Sequence, residues 1–185
     1  LLDLIYTLNY NIDNIEEILN VDRVLWFFAA STVIPDLDNY FWFVPHNFYL
    51  YKNASGQFEI IPWDKDHTFG NALINVINDV GGNIYWIYYY DPFDLENNTE
   101  RPLFSKLMQV PLYKLLYTAH LRTIIEDVYN VDYSYNWATE SQDSIETYAD
   151  EDPNLFFPFI FGDYCRYNVD NFLDSWGIQF CGITS

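Results

Sequence analysis

The sequence predicts an α+β fold, mainly helical, with one small β-hairpin carrying the polar residues of greatest interest. Three observations predict it. Asn47-Phe48-Tyr49-Leu50-Tyr51 and Phe58-Glu59-Ile60-Ile61 are short runs rich in aromatic and β-branched residues, separated by the turn residues Asn53-Ala54-Ser55-Gly56. That is the pattern of a β-hairpin. Upstream, VLWFFAASTVI is apolar all round, as a buried helix is. Downstream, Pro102 and Pro111 each open a segment of helical apolar periodicity, and proline suits a first helical turn.

The elements follow in order. Residues 1–12 predict a short helix. Asp13 or Asn14 is placed to cap a second one beginning Ile15-Glu16-Glu17, whose acidic side chains suit the positive end of the helix dipole. The apolar set Ile15, Ile18, Leu19, Val24, Leu25 and Phe28 continues into the buried helix, which Pro35 ends. Asp36-Leu37-Asp38-Asn39 is then loop, leading to the hairpin. In the first proline-initiated helix Leu103, Phe104, Leu107 and Met108 form the buried side. In the second, running to about Tyr129, the apolar positions are Leu112, Leu115, Leu116, Ala119, Leu121, Ile124, Ile125 and Val128. His120 on that helix reads as a surface or packing residue. Between hairpin and helices, Tyr85 to Tyr90 reads as irregular. Beyond them, Ser141 to Tyr148 predicts a short acidic helix, Asp150-Glu151-Asp152 a solvated charge run, and Asn168 to Trp176 a weak helical periodicity.

Composition narrows the functional classes. The chain has 185 residues, half of them hydrophobic and 21% aromatic, so a packed core is expected rather than disorder. Eight Lys+Arg against 27 Asp+Glu give a net charge of −19. Such a surface opposes nucleic acid and anionic membranes as partners. It also repels free ATP, so nucleotide chemistry would depend on a divalent cation. No stretch has the apolar length of a membrane span, and the first residues lack the basic start and cleavage site of a signal peptide. The sequence is expected to be one domain, residues 1–185, of a longer protein. Cys165 and Cys181 match no zinc or redox spacing. Two readings stand side by side for them: two buried thiols, or a disulfide closing a loop of about 16 residues, worth roughly 3 kcal/mol. Asn53-Ala54-Ser55 and Asn97-Asn98-Thr99 are N-glycosylation sequons in turn-like contexts, which lean towards secretion.

Asp38 and Asn47 precede the hairpin, while Asp64 and Asp66 follow its second strand. Folding the hairpin on itself gathers these oxygen ligands at one end. Oxygen donors so grouped suit Mg²⁺, which favours carboxylates together with substrate phosphates. Each has a plainer reading: Asp38 caps a turn, His46 and Asn47 lead into a strand, and Asp64 with Asp66 is a solvated strand end. Trp63, Tyr49 and Tyr51 read as core aromatics rather than ligand contacts.

The stretch HNFYLYKNASGQFEIIPWDKDHTFG, with Asp38 upstream, resembles the signature of the spore coat protein H (CotH) kinase family. The matching residues are Asp38, His46, Asn47, Tyr49, Leu50, Tyr51, Pro62, Trp63, Asp64, Asp66, Phe69 and Gly70. The likeness extends over about residues 15 to 130, including PLFSKLMQVPLYKLLYTAHLRTI. It implies a secreted or cell-surface atypical protein kinase, seen here as its protein-kinase-like large lobe. By that resemblance Asp38 corresponds to the catalytic-loop Asp and Asn47 to the catalytic-loop Asn. Asp64 corresponds to the metal-binding Asp after the hairpin, with Asp66 as a further acidic position. ATP with Mg²⁺ (or Mn²⁺) would be the cofactors, and a hydroxyl of an extracellular or coat protein the acceptor.

Two features depart from the ordinary kinase pattern. The step from Asp38 to Asn47, carrying Phe41-Trp42-Phe43-Val44-Pro45, is longer. Neither a glycine-rich phosphate loop nor a strand lysine paired with a helix glutamate is present; Lys52 and Lys65 are poor substitutes. The isolated chain is therefore expected to be inactive or very weak, with its small lobe upstream. Two other functions compete. One is a non-catalytic extracellular binding or structural protein of the same fold. The other is a glycosyltransferase, since Asp64-Lys65-Asp66 is formally a D-x-D motif, though a hairpin precedes it instead of a βαβ unit.

Overall fold

The structure, a computed structural model, describes residues 1–36, 38–41, 45–65, 68 and 89–151. The chain divides into two units, Leu1–Ile124 and Ile125–Ser185. Mixed helix with a two-stranded antiparallel sheet is the α+β arrangement expected from the sequence. Among the described residues no helix is long and apolar enough to cross a membrane.

In the first unit, α1 (Leu2–Tyr10) is followed by a 3₁₀ segment, Ile12–Glu17, and then by α2 (Val21–Val33). The α-helix therefore starts later than Asp13 or Asn14 would place it. The cap is Asn20, whose Oδ1 accepts the Arg23 N–H at 3.2 Å. Pro35 lies just past the last turn of α2. The hairpin strands are β1 (Phe48–Lys52) and β2 (Phe58–Pro62), paired from Phe48↔Pro62 to Lys52↔Phe58. At the turn Gly56 has φ +91°, a conformation glycine takes without penalty, and its N–H donates to Asn53 O at 3.0 Å.

The hairpin is tied to the helical part by backbone. Phe58 N–H donates to Ile18 O at 2.6 Å, and Asn20 N–H donates to Phe58 O at 2.8 Å. These bonds put the Phe58 and Ile60 side chains into the core, where both are buried. Strand alternation then sends Tyr49, Tyr51 and Ile61 outward, and all three are exposed. Trp63, just past β2, is 57% exposed, with its ring edge-on to Tyr49 at 5.6 Å. The expectation of Tyr49, Tyr51 and Trp63 as core aromatics is corrected here; their apolarity was visible, but the face they occupy follows from which way Phe58 and Ile60 point.

The core is aromatic. Phe28, Phe104 and Tyr117 are almost fully buried, with Phe104 edge-on to both Phe28 (5.2 Å) and Tyr117 (5.5 Å). Edge-to-face pairs add stabilisation beyond area burial. Phe104 belongs to α3 (Pro102–Met108) and Tyr117 to α4 (Pro111–Thr123), which packs on α2. Both helices begin with the expected prolines. The buried face of α4 is Tyr113, Tyr117 and His120, whereas Leu112 and Leu115 are exposed. The tyrosine rings join the core, Leu116 and Leu121 pack against it, and the polar atoms of this face find partners: Tyr113 Oη donates to Glu16 Oε1 (2.9 Å), Tyr117 Oη to Pro92 O (3.0 Å), and His120 Nε2 meets Asp22 Oδ1 (2.8 Å). His120 also stacks on Trp26 at 3.9 Å, so of the two roles expected from sequence, surface or packing, it takes the packing one.

A π-helical turn, Ile124–Val128, follows α4. In the second unit α5 spans Val131–Asp150, 20 residues, much longer than the acidic helix expected over 141–148. Asn130 Oδ1 accepts the Tyr133 N–H at 2.8 Å and starts it, and no Gly or Pro interrupts the run. The readings of Tyr85–Tyr88, of Cys165 and Cys181, and of Asn168–Trp176 lie outside the described residues.

Candidate active site

The open end of the hairpin is where the polar residues meet. Past the last ladder pair, Trp63 N–H donates to Asn47 O at 3.1 Å. On either side of that bond the chain turns through a left-handed residue: Asn47 and Asp64 both have φ +54°, the only non-glycine residues described with positive φ. Asn and Asp tolerate this conformation best among residues with a Cβ. Both strands thus bend at their site ends, and each bend is made by a residue singled out from sequence.

Asn47 uses its side chain to hold Asp38. Nδ2 donates to Asp38 Oδ2 at 3.0 Å and to Asp38 O at 2.9 Å. His46 Nε2 contacts the other carboxylate oxygen, Oδ1, at 2.9 Å. The Asp38 side chain is 17% exposed, so it is held by two neighbours while keeping an edge to solvent. The long step between Asp38 and Asn47 therefore does not separate them.

Beneath this pair lies a buried polar layer that the sequence reading did not identify. Asp36 is 1% exposed, and its Oδ2 accepts from Lys65 Nζ and from Asn39 Nδ2, each at 2.9 Å. Asn39, fully buried, also donates to Ser31 Oγ (2.9 Å) and Asp36 O (2.7 Å), and accepts the Phe41 N–H at 2.9 Å. Lys65 Nζ reaches Asn47 O at 3.3 Å as well. A continuous path thus runs Asp36, Lys65, Asn47, Asp38, His46. The available signal was slight: Asp36 and Asn39 flank Asp38 in the loop, and Lys65 sits between two aspartates. Only folding shows which of these charges turn inward.

Asp64 is exposed, and no described residue hydrogen-bonds its carboxylate. No hydrogen bond joins it to Asp38 or Asn47 among the described residues. Asp66 lies outside them. With Nδ2 committed to Asp38, Asn47 is left with Oδ1 as a spare acceptor. These are hard oxygen donors, the type Mg²⁺ takes. No group of three or more His, Cys, Asp or Glu gathers among the described residues. A cation that keeps waters and substrate phosphates needs only one or two protein carboxylates, so the donor set is compatible with Mg²⁺ or Mn²⁺.

The family model for CotH kinase protein matches residues 1–158. The chain belongs to the CotH kinase family. The match exceeds the 15–130 stretch read from motifs, taking in α1 at one end and all of α5 at the other. No curated protein matches the chain significantly. Membership in the CotH kinase family suggests a kinase, and with it the use of ATP and a divalent metal.

Proposed function

We propose that this chain carries the phosphoryl-transfer site of a metal-dependent atypical protein kinase, moving the γ-phosphoryl group of ATP to a protein hydroxyl. The observation that carries the reading is the double hold on Asp38, by His46 at Oδ1 and Asn47 at Oδ2. A carboxylate that is to orient an attacking hydroxyl must be fixed in direction yet reachable, and Asp38 is both. In this reading Asp38 accepts the hydroxyl proton as the oxygen attacks. Asn47 positions Asp38 through Nδ2 and offers Oδ1 to the cation. Asp64, with Asp66, supplies carboxylate ligands. Mg²⁺, when bound, offsets the phosphate charge that an acidic protein would otherwise repel. The acceptor is an extracellular or coat protein, and the protein acts outside the cell or at its surface.

The test is transfer from [γ-³²P]ATP to protein in the presence of Mg²⁺ or Mn²⁺, using the chain together with whatever sequence precedes it in its gene. Loss of transfer in Asp38→Asn and Asp64→Asn, with folding intact, supports the reading. Undiminished transfer in either variant refutes the role given to that residue.

A second reading, a non-catalytic extracellular binding or structural protein of the same fold, is favoured by the outward aromatic face of Tyr49, Tyr51 and Trp63. Absence of nucleotide binding by calorimetry in that longer chain would select it.

A further inference from the structure

Lys65 poses an electrostatic problem. In sequence it lies between Asp64 and Asp66, the carboxylates assigned to the cation. An ammonium group there would compete with a divalent metal for the same oxygens. The fold sends it elsewhere. Asp64 takes a left-handed backbone (φ +54°) and stays at the surface, while the next residue, Lys65, is half-buried and points to Asp36. Its Nζ ends 2.9 Å from Asp36 Oδ2 and 3.3 Å from Asn47 O, with the Phe27 ring centroid at 5.8 Å.

Asp36 is an expensive partner to keep. It is 1% exposed, and its Oδ1 is buried without a hydrogen-bond partner among the described residues. A buried carboxylate is tolerated only when paired. Helix capping does not account for it either, because it lies beyond the C-terminal end of α2, where a negative charge opposes the dipole. What Asp36 contacts is Lys65 and Asn39.

We propose that Asp36 and Lys65 are a positioning pair for the metal-phosphate site. Asp36 withdraws the ammonium of Lys65 from Asp64, and Lys65 in turn holds the Asn47 carbonyl at the hairpin mouth. The withdrawn charge leaves Asp64 open to a cation, and the held carbonyl keeps Asn47 in the conformation that grips Asp38. The inference rests on the kinase reading for the metal, but the clamp on Asn47 is measurable without it.

The experiment uses the chain with its upstream sequence and Mn²⁺ as probe, followed by the electron paramagnetic resonance signal of free Mn²⁺. Asp36→Asn frees Lys65 and should weaken Mn²⁺ binding about 10–100-fold, the range of an outer-shell change at a metal site. Asp36→Asn combined with Lys65→Met removes both charges and should bring affinity back to within about threefold of wild type, the non-additivity of a coupled pair. Lys65→Arg, which keeps the cation, should bind as wild type does. The clamp is read by amide hydrogen exchange at Trp63, which should speed up in Lys65→Met and not in Lys65→Arg. Wild-type affinity in Asp36→Asn, or a double variant as weak as that single one, overturns the withdrawal. If Asp36→Asn does not fold, loss of Mn²⁺ binding by the folded double variant overturns it instead. Unchanged Trp63 exchange in Lys65→Met overturns the clamp. Equal Mn²⁺ binding by wild type and Asp64→Asn, or none by wild type, refutes the metal reading and the withdrawal with it, while the exchange result still decides the clamp.

Discussion

Asn47 Nδ2 lies 3.0 Å from Asp38 Oδ2 while the Asn47 backbone sits at φ +54°. One residue thus makes the bend at the mouth of β1 and orients the candidate base. The two duties can be separated. Asn47→Gly keeps the bend and loses the side chain with its two bonds to Asp38; it should lower phosphoryl transfer by about 10–100-fold and stability by about 1–2 kcal/mol. Asn47→Leu adds the cost of a left-handed residue with a bulky side chain, about 1–2 kcal/mol. It should therefore melt lower than Asn47→Gly, which thermal denaturation followed by circular dichroism will measure.

Asp64 should behave in the opposite way to a core residue. It is exposed, and no described residue bonds its carboxylate, so Asp64→Asn should leave stability within about 0.5 kcal/mol of wild type. Asparagine also accepts the left-handed backbone. Transfer should nonetheless fall by about 100-fold or more, because the proposed role of Asp64 is to hold the charge-neutralising cation. A variant that loses stability in step with activity would argue against the metal role.

Tyr117 marks a structural hydroxyl. Its Oη lies 2.8 Å from Thr32 Oγ1 and donates to Pro92 O at 3.0 Å, joining α4, α2 and the 91–100 turns. Tyr117→Phe removes these bonds without changing ring packing. The expected loss is about 2 kcal/mol, or roughly 4–8 °C in melting temperature. Thr32→Val should cost less, because the Tyr117–Pro92 bond survives it. A double-mutant cycle measures the coupling.

Alkaline pH should unfold this protein through its tyrosines. Burial raises Tyr40 and Tyr117 from 10.0 to about 12, and burial with the Glu16 hydrogen bond does the same for Tyr113. Their neutral forms are favoured by folding. The corresponding stability is fully present below pH 10 and is lost as pH rises towards 12. Buried Tyr40 and Tyr117 should each contribute on the order of 2 kcal/mol to that loss. Urea midpoints taken from pH 8 to 12 should decline above pH 10. Tyr40→Phe, which also gives up the Leu103 N–H bond at 2.9 Å, should be weaker at pH 8 and decline less steeply. A flat profile in the wild type would contradict the assignment.

Much of this protein is determined by its sequence alone. The hairpin, the proline-started helices and the family signature are local patterns, because strand alternation, helix periodicity and turn residues act over a few positions. The choice of Asp38, Asn47 and Asp64 came from the same local order. Other features needed the fold. That the amphipathic tyrosines Tyr113 and Tyr117 join the core, while Leu112 and Leu115 stay exposed, needed Glu16, Thr32 and Pro92 within reach of their hydroxyls. Tyr49 and Trp63 faced outward once Phe58 was bonded to Ile18. Above all, Lys65 and Asp36 look in sequence like solvated charges among many others. Tertiary structure brought them together at 2.9 Å, because a buried carboxylate requires a partner and Lys65 lies within reach of it.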